Sequence, residues 1–369
     1  MSQEEESDEM MCSGSSSYES EDSSDNEIAE DDEEMTDVDE SSDEIDEAME
    51  TALSVGQTRQ AKTKNAPTAL KCSNSNNFLC IGTVEGDLES YNCKDFQVEK
   101  IDNFECFASS SCCSLDFSCD GKQAFCLSST EGFASINFET NDMNFASLKS
   151  STELSCLKTF DENIICVGSF AGHIYLWDIR QFRPAQYFEP VKTLNDETGD
   201  YISCIITNSN HLAAGSGSGL VTIFDLRASK LLYQNNDSKA DIVSLTQLPN
   251  KKIILAASMS SEITIFSWND NNRNSHRYEI LPKGSCNEIM TVNDSTILTA
   301  WDDGSLRLNS LFPHEEVGMI GQQNPPAEFA DINFDENFAV SIGIDKIIHL
   351  WSLDNISDKN SAQDFFVDI

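Results

Sequence analysis

Gly168-Ser-Phe-Ala-Gly172-His-Ile-Tyr-Leu-Trp177-Asp178-Ile-Arg180 is the stretch from which the fold can be read. Two glycines bracket a tight turn, and the alternating run behind it ends in an aromatic, an acid and then an arginine. The pattern returns in Gly215-Ser-Gly-Ser-Gly219-Leu-Val-Thr-Ile-Phe224-Asp225-Leu-Arg227. Weaker copies centre on Tyr91, Asn137, Phe266, Asn309 and Trp351, so the seven positions are separated by 46, 40, 47, 42, 43 and 42 residues. A period of this length marks units that cannot bury their apolar faces alone and must stack on their neighbours.

Each unit reads as four short strands. In the third, Ser155–Phe160 alternates, Asp161-Glu-Asn163 turns, and Ile164–Val167 returns as a buried strand. In the second, Asp120-Gly121 is a two-residue hairpin signal between Leu115–Phe117 and Ala124–Leu127. No segment of ten or more residues within 66–356 keeps helical periodicity. A repeat of roughly 40 to 45 residues ending in Trp-Asp is the signature of a WD-type blade. The expected fold is all-β, a seven-bladed WD-type β-propeller over residues 66–356. Closing such a ring hides the strand edges. Either an N-terminal strand near Ala66 or Asp364–Val367 within the C-terminal segment 357–369 closes blade seven. The Gly-His dipeptide that usually opens a WD blade is missing, and Gly172-His173 sits inside a hairpin. A buried His–Asp network is therefore not expected around Asp178 or Asp225. Blades 2 and 6, with Asn137 and Asn309 in the aromatic slot, should be the least stable.

The chain has 369 residues and a net charge of −41, and residues 1–50 hold 23 acids without a lysine or arginine. Such a segment repels itself and has too little apolar surface to offset its ordering entropy. We read residues 1–60 as a disordered acidic tail and 61–65 as a linker. Within the tail Ser2, Ser16, Ser24, Thr36 and Ser41 each precede an acid by three residues, the spacing that suits an acid-directed kinase. The charge argues against direct DNA binding and leaves RNA only an indirect role. No run of 18 apolar residues occurs, so no membrane partner is expected. The acid-rich start is unlike an export signal, which makes the 13 cysteines reduced thiols of the cytosol or nucleus.

The remaining chemistry favours binding over catalysis. Cys80, Cys126 and Cys166 share one second-strand slot with Ala213, Leu255, Leu298 and Val340, which makes them small core residues. No cysteine pair has zinc-ligand spacing, and neither a metal nor a cofactor is expected. The five histidines lack a serine or cysteine partner at a recognised spacing. Gly215–Gly219 leads into a strand, so it is a hairpin and neither a nucleophile elbow nor a phosphate cradle. Trp177-Asp178-Ile179-Arg180 and Phe224-Asp225-Leu226-Arg227 place an arginine fork at the rim, where it can pair with a partner carboxylate. The alternative is a salt bridge inside each blade.

Those two boxes are similar to the Trp-Asp-x-Arg motif by which WD proteins dock on the adaptor of cullin-type ubiquitin ligases. Phe170 and His173 depart from the small and acidic residues usual upstream. A wider resemblance is to the WD repeat-containing protein 55 family. It is carried by Gly82-Thr-Val-Glu-Gly86-Asp87, Asp200-Tyr201-Ile202-Ser203, Ile265-Phe-Ser-Trp268-Asn269 and Asp302-Asp-Gly304-Ser-Leu-Arg307. The resemblance implies a non-enzymatic interaction scaffold in ribosome biogenesis and rRNA processing, located in the nucleus and nucleolus, with cytoplasm the alternative. It implies ribosomal proteins or assembly factors as partners. The second reading is a substrate receptor of a cullin-type ubiquitin ligase. The connections Asn269–Gly284 and Phe312–Glu328 are expected to be contact loops.

Overall fold

In a computed structural model, the structure describes residues 57–147, 153–180, 183–188, 200–235, 240–250, 252–268, 276–279 and 284–353. The Ser and Thr positions of the acidic tail and the segment Asp364–Val367 lie outside these residues.

Seven four-stranded antiparallel sheets follow one another, six of them with their strands in sequence order from the inside of the ring outward. Blade 1 comprises Pro67–Cys72, Phe78–Thr83, Asp87–Lys94 and Gln97–Glu105, and blade 2 runs from Cys112–Phe117 to Asp142–Ser147. Blades 3 to 6 begin at Leu154, Ile202, Ile242 and Cys286. Blade 7 departs from the order. Its outer strand is Gln57–Lys62, paired antiparallel with Ile347–Ser352 from Gln57 against Trp351 to Lys62 against Ile347. An N-terminal strand therefore closes the ring. It begins before Ala66 and takes in residues that the sequence reading divides between the tail and the 61–65 linker.

Successive residues of a strand face opposite neighbours, and this alternation builds the core. The second residue of each second strand faces the preceding blade, and the third faces the next. Leu79, Ile81 and Tyr91 thus meet Phe338, Val340 and Leu350 between blades 1 and 7. Phe125, Leu127 and Phe133 meet Ile165, Val167 and Trp177 between blades 2 and 3, with the Phe133 and Trp177 rings edge to face at 5.3 Å. Each of the seven interfaces has its own apolar cluster. Stability is shared between neighbouring sheets, as in other repeat proteins.

The register corrects the second repeat by one residue. Ala124 pairs with Ile136 as Leu79 does with Tyr91 and Ile165 with Trp177, so Ile136 holds the slot assigned from sequence to Asn137. Asn137 stands where blade 3 has Asp178 and does the same job: its Oδ1 accepts the backbone N–H groups of Glu139 and Thr140. Ile136 is fully buried, and the expected weakness of blade 2 loses its basis. Cys126 shifts with it, to the fourth position of its strand, facing blade 1 instead of sharing the slot of Cys80 and Cys166. Phe125 occupies that slot.

Blade 6 is also better satisfied than its asparagine suggests. Asn309 is buried and donates from Nδ2 to Thr299 Oγ1 at 3.0 Å, while Trp301 donates from Nε1 to the same oxygen at 2.8 Å. In blade 7 the equivalent slots carry Trp351 and Ser341, joined by a 2.7 Å bond from Nε1 to Oγ. An amide thus replaces an indole N–H, and Trp301 supplies bulk from the strand end. The two expected contact loops contain strands: His276–Glu279 and His314–Gln322 are the outer strands of blades 5 and 6. No helix long and apolar enough to cross a membrane occurs among the described residues.

Candidate protein-interaction surface

The inner strands line a central cavity of about 680 Å³. The residue opposite the third slot of each second strand forms a belt around it. Asp331, Lys71, Asp116 and Lys158 hold this position in blades 7, 1, 2 and 3. Charge alternates along the four. Lys71 Nζ lies 2.7 Å from Asp331 Oδ2, which also accepts the Cys72 N–H at 2.9 Å. Lys158 Nζ lies 3.1 Å from Asp116 Oδ2, which accepts the Thr159 N–H at 2.7 Å. Each aspartate so joins a side chain and a backbone donor of the next blade. Burial alone would lower the Lys71 pKa, but Asp331, Asp116 and Glu288 outweigh it and hold the lysine above its ordinary range. Ile206, Thr246 and Met290 complete the belt without charge.

Glu288 faces the same cavity, and its Oε1 accepts from Ser244 Oγ at 2.5 Å. Burial pushes its carboxyl up to about 7, against the opposing effects of Ser244 and Lys71 and with help from Asp331. From its ordinary 4.5 to about 7 the unfolded chain has released this proton while the folded chain keeps it. Stability therefore falls as pH rises through that window and levels off above it. Glu288→Gln is expected to raise stability by about 1–2 kcal/mol near pH 8 and by little near pH 5, allowing for screening in a water-accessible channel. Urea unfolding at the two pH values checks this; an equal effect at both would refute it.

The thiols are packing groups. Cys80, Cys112 and Cys126 are fully buried between blades 1 and 2, with Cys126 Sγ 3.5 Å from Cys106 Sγ. Burial raises the Cys80, Cys126 and Cys166 thiols well above their usual range and makes them poor ligands and nucleophiles. Among the described residues no group of three or more His, Cys, Asp or Glu could hold a metal ion.

The two Trp-Asp-x-Arg-like boxes come out unequal. Trp177 and Phe224 are buried in the blade interfaces, while Asp178 and Asp225 cap the turns leaving their strands. The Arg180 fork closes on its own blade, with Nε 2.9 Å from Asp178 Oδ1 and the terminal nitrogen 2.6 Å from Oδ2. In Arg227 only the backbone N–H engages Asp225, and the exposed guanidinium has no ion pair among the described residues. Trp177 Nε1 is buried without a hydrogen-bond partner among the described residues, because Val167 stands where blades 6 and 7 carry the Thr299 and Ser341 hydroxyls. The sequence does not single out the alternating belt, whose signal lies in the repeat, since equivalent slots become neighbours once the ring shuts.

No model of a protein family matches the chain. Among curated proteins it is similar to WD repeat-containing protein 55 of Arabidopsis thaliana, 24% identical over 293 residues that cover 78% of this chain and 80% of that protein. The Homo sapiens protein of the same name is 24% identical over 314 residues, covering 83% of this chain and 80% of the relative. The Dictyostelium discoideum homolog is 28% identical over 247 residues, covering 66% and 58%. Among solved structures, a chain from the crystal structure of a mitotic checkpoint complex superposes with a TM-score of 0.69 at 14% identity, covering 80% of this chain and 90% of that one. That likeness is one of fold. Ring, repeat and relatives agree that this chain is a seven-bladed WD-repeat propeller, a scaffold architecture, and that it resembles the WD repeat-containing protein 55 family.

Proposed function

We propose that the protein is a non-enzymatic interaction scaffold in ribosome biogenesis and rRNA processing, working in the nucleus and nucleolus. The observation that carries this reading is the similarity to WD repeat-containing protein 55 across four fifths of the Arabidopsis thaliana and Homo sapiens relatives, together with a ring that presents loops on rigid strands. Ribosomal proteins and assembly factors are the partners, and the acidic tail, with Ser2, Ser16, Ser24, Thr36 and Ser41 as phosphate acceptors, engages their basic surfaces. Affinity purification of the tagged full chain, with and without residues 1–56, is the test. Assembly factors should co-purify, fewer of them without the tail, and depletion should leave rRNA precursors unprocessed. Normal rRNA maturation on depletion would overturn the proposal.

The exposed guanidinium of Arg227, which has no ion pair among the described residues, favours a second reading, docking on a cullin-type ubiquitin-ligase adaptor. Arg180 is already committed to Asp178 and is the weaker candidate. Arg227→Ala should abolish adaptor co-purification on this reading and leave it unchanged on the first.

A further inference from the structure

At one end of the ring, the hairpins between second and third strands are tied down alike in five blades. The residue that opens the hairpin donates its backbone N–H to the residue ahead of, or at the start of, the inner strand region. The pairs are Val84 to Ala66, Phe170 to Glu153, Gly217 to Tyr201, Met259 to Asp241 and Asp302 to Ser285, at 2.9–3.1 Å. Anchored so, the side chain at this position is left in solvent. In blades 3 and 5 it is apolar and large, with Phe170 50% and Met259 52% exposed.

Blade 4 fills the gap between them. Gly217 leaves room for the ring of Tyr201, which an added Cβ would meet at 1.9 Å. Tyr201 lies against Phe170 with ring centroids 6.0 Å apart, and its hydroxyl donates to Asp241 Oδ2 at 2.9 Å. The Asp241 carbonyl in turn accepts the Met259 N–H. Phe170, Tyr201 and Met259 so form a fixed apolar row across three blades. The ground around the row is acidic, with Glu153, Asp200 and Asp241 beside it. At this end of blades 3 to 5 the described residues (153–154, 168–174, 200–202, 215–221, 240–243 and 257–263) include no lysine or arginine.

We propose that this row is a docking face for a basic protein segment that carries apolar side chains at regular spacing. The apolar residues seat on Phe170, Tyr201 and Met259, and the flanking cations meet the carboxylates. A polyanion would be repelled here. The inference rests on the scaffold reading and names the chemistry of its partner. The opposite side of the ring is a built-in control. Val84 and Ile344 are exposed at the same hairpin position in blades 1 and 7, where Lys64 and Lys346 offset the neighbouring Glu85 and Asp345.

The test uses the full chain and two short labelled peptides of equal length and charge, one alternating lysine with leucine and the other lysine with serine. Both meet the acidic tail equally, so their difference reads the ring. Fluorescence anisotropy should show the lysine–leucine peptide binding roughly tenfold tighter or more, with the preference shrinking at high salt. The Phe170→Ser/Met259→Ser variant should lose the preference, Glu153→Lys should weaken it several-fold, and Val84→Ser/Ile344→Ser should keep it. No preference in the native chain overturns the proposal, as does a preference that survives the first variant or is lost equally in the last. If peptide binding fails while assembly factors still co-purify, only this face is refuted. If both fail, the scaffold reading goes with it.

Discussion

Removal of residues 1–62 is expected to unfold or aggregate the protein, whereas removal of residues 1–56 is expected to leave its melting temperature within about 2 °C of the full chain. The difference is six residues. Gln57–Lys62 is the outer strand of blade 7, and its register with Ile347–Ser352 is the covalent chain's way of joining first blade to last. With the strand gone, Ile347–Ser352 presents a bare edge, and Ala61 no longer packs against the cluster between blades 7 and 1. At about 1 kcal/mol net per ladder hydrogen bond, the direct loss is about 4–6 kcal/mol. That is a large share of the roughly 5–15 kcal/mol by which domains of ordinary size are stable. The exposed edge adds a route to association. Circular dichroism melts and size-exclusion chromatography of the two truncations decide the matter. A 1–62 deletion that melts with the full chain and elutes as it does would show that the ring does not need this strand.

The same strand explains where sequence reasoning stops. Gln-Thr-Arg-Gln-Ala-Lys has neither an alternating apolar pattern nor a turn signal, because its main-chain bonds to a pre-formed edge hold it in place. Such a strand is legible only after the ring is known to need closing. The blade count and the seven slots followed from a periodic aromatic, and six slots stand where the spacing put them. The seventh slipped by one residue because Asn137 looks like a weakened aromatic position when it is a turn cap, and Ile136 beside it gives no aromatic cue. A one-residue slip reverses every facing, which is why the spacing alone puts Cys126 on the wrong side of its sheet. The two connections mislead for a related reason. His314–Gln322 is an outer strand, mostly exposed, and its acids and glycines look like a connection.

The charged belt was invisible from sequence for another reason. Lys71, Asp116, Lys158 and Asp331 are far apart in the chain and unremarkable singly, and only their common slot opposite Cys80, Phe125, Cys166 and Val340 makes them neighbours. Arg180 and Arg227 show the converse. Matching motifs promised matching roles, yet Arg180 has its own carboxylate at 2.6 Å while Arg227 has only a backbone bond to the equivalent acid.

Trp351→Ala should lower the unfolding free energy by about 3–5 kcal/mol, the cost of emptying a large aromatic site in a core. Trp351 is 1% exposed between blades 6 and 7, and an added Cβ on Gly321 would meet its ring at 2.1 Å, so the outer strand of blade 6 lies flat against it. The sharper experiment keeps an aromatic ring in the site, loses part of the volume and removes the N–H. Trp351 Nε1 donates to Ser341 Oγ at 2.7 Å, and Ser341 Oγ donates to Gln323 Oε1 at 2.5 Å in the connection from blade 6. This chain does in blade 7 what the absent histidine network would otherwise do, so Trp351→Phe should cost about 1–2 kcal/mol. Trp177 is the control, since its Nε1 is buried and makes no hydrogen bond among the described residues. Trp177→Phe removes an unsatisfied donor and some ring volume, and those effects oppose one another, so a change within about 0.5 kcal/mol is expected. Urea unfolding of the two phenylalanine variants therefore separates volume from hydrogen bonding. Equal losses in both would mean that apolar packing alone holds the blades together, and that the Trp351–Ser341–Gln323 chain contributes nothing.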